Sequence, residues 1–266
     1  MKALFPRVAL ALFVSSLAAP DVVSAIIIRH DREDARYLEL AKTYSQVVRM
    51  QAPGEIPDGV GTLVAPQWVV TAAHIATLLE PGHIVKVAGR DFEIAAIFIH
   101  PSWNDGPHDI ALVRLESEVP ESHPALLYRK RDEIGQLITV VGDGDKGDGR
   151  TGPVGNDGRM RAATNRIDEA SDFWLKFVFR DGPRATDLEG ISGPGDSGGP
   201  AFVEHRGDLY VVGVGSGQST RATQGREGLY GVTEYYTRVS SYLKWLDDTM
   251  RSPGAQGAAP PVQETP

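Results

Sequence analysis

Cysteine is absent from all 266 residues of the chain. The absence excludes disulfide bonds, a thiol nucleophile, a lipid-anchored cysteine and thiolate-ligated metal sites. The fold must therefore be held together by core packing and hydrogen bonds alone. With 41% hydrophobic residues, the chain has enough apolar material for one large β domain or two small lobes.

Long apolar runs are also scarce. One run, Val8–Leu17, follows two basic residues and is too short to cross a bilayer, which takes about twenty residues. Small residues then offer cleavage sites after Ala18 or Ala25. Residues 1–25 therefore predict a signal peptide, and we expect a secreted or periplasmic protein without stable membrane association.

Clustered positive charge is missing, and the formal net charge is -8. This argues against a nucleic-acid partner. The histidines show no paired zinc-ligand spacing, and the G-x-G-x-x-G at residues 142–147 is not followed by a helix. We expect no cofactor and no metal. The aspartates of the 143–148 loop could suggest calcium, but the loop lacks the later glutamate of an EF-hand, so a solvated acidic loop is the favoured interpretation and calcium is the alternative left open.

Short apolar runs rich in Val, Ile and aromatic residues recur between turn residues, which indicates an all-β fold. No helical crossovers separate them, so a parallel sheet is disfavoured. Helical spacing occurs in Asp31–Ala41 and from Ser240 or Ser241 to Met250. The Pro-rich residues 252–266 predict a disordered tail.

Three segments carry candidate chemistry. Ser197 lies in Gly195-Asp196-Ser197-Gly198-Gly199-Pro200, where glycines permit a tight turn and a close approach of substrate to backbone N–H groups. His74 ends the segment VVTAAH, and Asp109 begins the apolar strand DIALVRL. A serine needs a base, and the base needs an orienting acid, so these three residues together predict nucleophilic catalysis.

These segments, GTLVAPQWVVTAAH, HDIALVRL and GDSGGP, resemble the signatures of the chymotrypsin/trypsin family. The order His, Asp, Ser agrees with that family and not with the α/β-hydrolases, in which the histidine comes last. The resemblance implies two six-stranded antiparallel Greek-key barrels with a C-terminal helix. We place the lobes at residues 26–130 and 131–251.

The same resemblance implies a serine endopeptidase that cleaves polypeptides through an acyl-enzyme. Separately, we expect a monomer. His74, Asp109 and Ser197 are its triad, and the N–H groups of Gly195 and Ser197 form its oxyanion hole. Two alternatives stay open: a catalytically silent homologue that binds a partner, and an esterase-like hydrolase on the same triad.

The resemblance also assigns a substrate-binding set: Ile191, Ser192, Ser216, Gly217 and Gln218. Trypsin-like members carry an aspartate where this chain has Ile191, which cannot neutralise a basic side chain. We therefore expect an apolar or small residue before the scissile bond. If Glu234 lines the pocket, a basic preference returns.

Members of the family free an N-terminal ammonium that pairs with the aspartate before the nucleophile, here Asp196. No basic cleavage site precedes a matching segment in this chain. Cleavage after Ala25 would release Ile26 as the partner, and Arg29 or His30 is the internal alternative. We expect no separate zymogen step.

Overall fold

The protein is described here by a computed structural model that covers residues 26–50 and 59–252. The predicted signal peptide, and all of the predicted tail except Ser252, lie outside these ranges. Within them the chain is mostly β-strand. Two short elements come first, strand β1 and helix α1: Ile27–Ile28 and Asp34–Ala41.

The first lobe is a closed barrel of six antiparallel strands in the order β2-β3-β4-β7-β6-β5. Its interior is filled by the Val, Ile and Leu side chains that made these segments look like strands. In chain order, the strands β2 to β7 and the one-turn helix α2, which follows β4, are Val47–Met50, Gly59–Ala65, Trp68–Thr71, Ala73–Ala76 (α2), Ile84–Val87, Arg90–Ile99 and Ala111–Leu115.

The second lobe is built on an eight-stranded sheet and a smaller four-stranded sheet that includes β1. Its strands, β8 to β18 in chain order, are Leu126–Leu127, Leu137–Gly142, Lys146–Asp148, Gly152–Gly155, Arg161–Arg166, Glu169–Ala170, Trp174–Val178, Gly190–Ile191, Pro200–His205, Asp208–Ser219 and Thr233–Arg238. The predicted all-β fold is confirmed, with the difference that this lobe is a curled half-barrel rather than a closed six-stranded barrel.

The open seam of the half-barrel lies beside β12. There Asn165, which is fully buried, donates its side-chain amide to the carbonyl oxygens of Val178 at 3.2 Å and Gly190 at 3.1 Å. An isolated bridge joins Thr164 to Glu189. A side chain thus satisfies backbone groups that a continuous strand ladder would otherwise pair, and it links β12 to β14 and β15 across the seam.

The N-terminal segment packs against the second lobe, although the predicted division placed it in the first. β1 pairs with β10 in parallel and with β15 antiparallel. In α1, the buried Tyr37 donates its hydroxyl to the Glu189 carbonyl at 3.1 Å, and Asp34 binds Arg161 through two bonds of 2.6 and 2.8 Å. The segment that leads to Ile26 is therefore anchored beside the nucleophile's lobe.

A C-terminal helix, α3, spans Leu243–Arg251 and confirms that part of the predicted fold. It buries Leu246, and Arg129 holds its Asp247 through two bonds of 2.9 and 2.8 Å. No side-chain hydrogen bond caps its N-terminus, and the Ser240 hydroxyl binds Glu133. In the described part of the chain, no helix has the length and apolar character to cross a membrane.

Candidate active site

His74 and Asp109 are brought together by the pairing of β4 with β7, in which Thr71 lies opposite Ala111. His74 lies three residues after Thr71, and Asp109 lies two residues before Ala111. The ring Nδ1 of His74 lies 2.7 Å from Asp109 Oδ2, and its backbone N–H donates to Oδ1 at 2.9 Å. This pairing favours the tautomer with the proton on Nδ1, which leaves Nε2 free to accept a proton.

Asp109 is buried and fully hydrogen-bonded. Ser216 donates its hydroxyl to Oδ2 at 2.5 Å, and Thr237 donates to the Asp109 carbonyl oxygen at 2.8 Å. Burial acts to raise the pKa of Asp109, but the hydrogen bond and charge of His74, with the bond from Ser216, lower it overall. The carboxylate is thus held ionised beside the imidazole, as an orienting acid requires.

Ser197 stands in a turn that leaves no room for larger residues. Gly198 has a φ of +79°, and a Cβ there would lie 2.3 Å from both Thr71 Oγ1 and the Val60 carbonyl oxygen. A Cβ on Gly59 would meet the Ser197 carbonyl oxygen at 2.7 Å and the Ile75 side chain at 2.8 Å. Ser197 and the helix that carries His74 therefore pack around the same glycine.

The backbone N–H groups of the turn divide into two sets. Those of Asp196, Gly198 and Gly199 donate to carbonyl oxygens at 3.0, 2.8 and 3.0 Å. Among the described residues, those of Gly195 and Ser197 have no backbone partner. They are the two donors that the sequence predicts for an oxyanion.

The Asp196 carboxylate is buried behind the nucleophile. It accepts the N–H groups of Gly144 at 2.6 Å, Gly193 at 2.8 Å and Ile26 at 3.1 Å. Burial raises its pKa to about 7, against the effect of these donors. Of the three candidate partners, the structure brings Ile26 to Asp196, whereas Arg29 binds Asp31 and the His30 ring contacts the Tyr230 hydroxyl.

Comparison with known proteins agrees with this geometry. The family model described as Trypsin matches residues 41–246, which is most of the chain. The chain belongs to the trypsin family.

Named relatives include "Trypsin" from Saccharopolyspora erythraea, which is 28% identical over 68% of this chain and 86% of its own length. "Complement C1s subcomponent" from Sus scrofa is 29% identical over 77% of this chain, and "Serine protease snk" from Drosophila melanogaster is 30% identical over 70%. The chain spans only 33% and 48% of those two longer proteins.

Strand β17 carries Ser216, Gly217 and Gln218, three of the residues that the sequence predicts to bind substrate. A β-bulge lies between Gly215 and Gly217, so Ser216 has no partner across the ladder and its hydroxyl reaches Asp109. Gly217 is exposed and has open space beside it. Residues 217–219 pair with β18 on one side only, which leaves the other edge for an extended peptide.

The predicted pocket residues separate into two environments. Ile191 is fully buried in the apolar core of the second lobe. Ser192 instead donates its hydroxyl to Glu234 Oε2 at 2.7 Å. Gln218 donates to Glu234 Oε1 and to the Ser192 carbonyl oxygen, both at 2.7 Å. Glu234 therefore lies beside two of the residues that the sequence assigns to the substrate pocket.

Asp143 is a second acidic residue whose surroundings the sequence does not reveal. It is 1% exposed and forms an ion pair with Arg49 of the first barrel. Burial raises its pKa, while the Arg49 charge opposes the shift.

Within the described residues, no group of three or more potential ligands is placed to hold a metal ion.

Proposed function

We propose that the chain is a secreted serine endopeptidase that cleaves polypeptides through an acyl-enzyme. The observation that carries the proposal is the His74–Asp109–Ser216 hydrogen-bond network beside a nucleophile turn with two uncommitted N–H groups. A protein that only binds a partner has no use for an oriented imidazole, an ionised buried carboxylate and oxyanion donors together.

The proposed chemistry gives each of these groups a role. Ser197 Oγ attacks the scissile carbonyl while His74 Nε2 takes its proton, and Asp109 stabilises the imidazolium that forms. The N–H groups of Gly195 and Ser197 bind the oxyanion. His74 then gives the proton to the leaving amine, and a water activated by the same imidazole hydrolyses the acyl-enzyme.

A peptide is the substrate class that the open edge of β17 fits best. Main-chain hydrogen bonds to Gly217 would align an extended chain across Ser197, whereas a small ester would not use this edge. We propose export by the signal peptide in residues 1–25, with action outside the cytoplasm as a monomer. The proposal includes no nucleic acid and no membrane partner.

Covalent labelling tests the proposal. The purified mature protein is treated with a fluorophosphonate, which reacts with an activated serine, and is separately incubated with casein. We expect labelling and casein cleavage, and both should vanish in Ser197→Ala. Ser45→Ala, at an exposed serine before β2, is the matched control and should behave as wild type.

Two results would contradict the proposal. A folded protein that takes no label is a silent homologue, in which case partner binding is its role. A protein that is labelled and cleaves p-nitrophenyl esters but no polypeptide is an esterase.

A further inference from the structure

Asp143 is a buried carboxyl that the proposed mechanism does not use. It is 1% exposed and directly follows strand β9. In the described part of the chain, its carboxylate oxygens have no polar partner besides Nε of Arg49, which lies on strand β2 of the first barrel. A buried carboxylate is costly without a counter-charge, so Arg49 is the group that allows an acid at this position.

The contacts around Asp143 form a closed set between the two lobes. Arg49 contacts the Asp143 carboxylate and also donates from Nη2 to the Gly158 carbonyl oxygen at 2.8 Å. The buried Asn156 donates its amide to the Asp143 carbonyl oxygen and accepts the Gly158 N–H at 2.8 Å. Arg49 thus ties both ends of the 143–158 segment to the first barrel.

The backbone that follows Asp143 packs directly behind the nucleophile turn. Gly144 donates its N–H to Asp196 Oδ1 at 2.6 Å, and Asp145 donates its N–H to the Pro194 carbonyl oxygen at 2.5 Å. A Cβ on Gly144 would overlap the Pro194 carbonyl oxygen, so no side chain can stand between the two segments. A displacement of Asp143 therefore displaces the turn as well.

That turn carries the two N–H groups proposed to bind the oxyanion. Gly195 and Ser197 are the chain neighbours of Asp196, so the direction of their N–H groups depends on how Asp196 is held. Such donors act only when they are already aimed at the place where the charge develops. Asp143 is connected to them through one residue of backbone, Gly144, and one hydrogen bond.

We propose that Arg49 is a positioning residue for the nucleophile turn. Through its ion pair with Asp143, it holds the backbone behind the turn and so keeps the N–H groups of Gly195 and Ser197 aimed at the oxyanion. This inference rests on the proposed function. It makes the oxyanion site of the second lobe depend on a cation that the first lobe supplies.

The balance of charge around the turn supports this role. Asp143 lies close enough to Asp196 that its charge raises the pKa of the Asp196 carboxyl. Arg49 offsets the charge of Asp143, which leaves Asp196 to the Ile26 nitrogen and the N–H groups of the turn. Without Arg49, two buried carboxylates would repel each other at the base of the turn.

Amide hydrogen exchange tests the inference without catalysis. The parent is the mature Ser197→Ala protein, which cannot digest itself, and Arg49→Met removes the cation while keeping an unbranched side chain. We expect exchange of residues 142–145 and 193–198 to rise by at least about tenfold, whereas strands β4 and β7 exchange as in the parent. Arg90→Met is the matched control, at an exposed arginine that also donates to a backbone carbonyl, and should leave exchange unchanged.

Kinetics with Ser197 intact show whether the change reaches the reaction. Arg49→Met should lower kcat on a chromogenic peptide by about 30-fold with little change in KM, because oxyanion donors act in the transition state. Arg49→Lys keeps the positive charge and should stay within about threefold of wild type. An ion pair that only stabilised the fold would lower the thermal midpoint and leave kcat per active site, counted by fluorophosphonate titration, unchanged.

A double-mutant cycle separates the ion pair from its two members. Arg49→Met combined with Asp143→Asn should be more active than Arg49→Met alone, since no buried charge is left unpaired. The double variant also carries the comparison if Arg49→Met does not fold.

Three results would overturn the inference: unchanged exchange of residues 142–145 in Arg49→Met, equal kcat losses in Arg49→Lys and Arg49→Met, or additive effects in the cycle. Exchange that depends on Arg49 in a protein that takes no fluorophosphonate label with Ser197 intact would instead refute only the proposed protease activity.

Discussion

At the scale of single residues, Asp109 is the group on which the site's geometry depends. It receives the His74 ring, the His74 N–H and the Ser216 hydroxyl, and its pKa is lowered overall despite its burial. Asp109→Asn keeps the size but presents an amide to the imidazole, which favours the wrong tautomer. We expect kcat to fall by about 10⁴-fold with little change in the thermal midpoint, measured on a chromogenic peptide and by circular dichroism.

The matched control is Asp91→Asn, since Asp91 is an exposed aspartate of the same barrel whose partner is Lys86. Its kcat should be that of wild type. Ser216→Ala removes one hydrogen bond from Asp109 and should reduce kcat far less than Asp109→Asn. An Asp109→Asn variant that retained a tenth of the activity would mean that Asp109 does not orient His74.

The same residues show how far sequence reasoning reaches. The contact of His74 with Asp109 was predictable because each lies in a short segment whose local pattern carries the information, whereas the role of Ser197 as nucleophile stays a prediction. The contact of Ser216 with Asp109 was not predictable, since it depends on a bulge that shifts β17 against β18 by one residue. Glu234 was uncertain for the same reason: one residue of register decides whether a strand side chain faces the site or the opposite side.

At the scale of elements, a buried ion pair joins the segment before β9 to the end of β18. Arg238 binds both carboxylate oxygens of Glu133 at 2.9 and 2.6 Å, and Ser240 adds a third bond at 2.8 Å. Glu133→Gln would leave the buried Arg238 without a counter-charge. We expect a loss of about 3–5 kcal/mol in the free energy of unfolding, measured by urea denaturation.

Acid titration gives this prediction a second readout. Burial acts to raise the pKa of Glu133, but Arg238 and Ser240 outweigh it and lower the pKa below the ordinary value of 4.5. The stabilisation is therefore present above that value and is lost as the pH falls through the folded-state pKa, and Glu133→Gln should remove this part of the acid dependence. Glu169→Gln, which breaks an exposed pair with Lys176, should cost less than about 1 kcal/mol.

The strands themselves were predictable from their composition, and the closed first barrel shows the expected apolar interior. The open seam of the second lobe was not predictable. It is closed by the Asn165 side chain, and a sequence pattern does not reveal which polar residue bonds to strands more than ten positions away. The helix α3 begins at Leu243 rather than at the expected Ser240 or Ser241, since residues Val239–Ser241 form a separate 3₁₀ turn.

At the scale of the whole molecule, the two lobes contribute different parts of one site. The N-terminal segment packs on the second lobe. His74 and Asp109 come from the barrel, whereas Ser197, Ser216 and Asp196 come from the half-barrel. Strand β1 is inserted between β10 and β15, which brings the Ile26 nitrogen within 3.1 Å of Asp196. The position of residue 26 thus determines what faces the buried carboxylate.

This placement predicts that the mature chain begins at Ile26, after cleavage behind Ala25. With a peptide N–H as its partner, Asp196 has a pKa raised to about 7 by burial, and the carboxylate lacks a counter-charge. A free ammonium would supply that charge and order the oxyanion turn. We expect N-terminal sequencing of the exported protein to read Ile-Ile-Ile-Arg-His.

The pairing of an Ile26 ammonium with Asp196 would also limit the activity at high pH, and it offers a control. An ammonium that gains a carboxylate partner has a raised pKa, so activity should persist at neutral pH and fall as the pH rises above about 8 through the amine's pKa. A protein with one glycine added before Ile26 should lose at least about tenfold in kcat/KM, the cost of one charge-assisted hydrogen bond. In Asp196→Asn the added glycine should make no further difference, because the partner is already gone. Full activity in a chain that starts at Ala19 would exclude the Ile26 amine as the partner of Asp196.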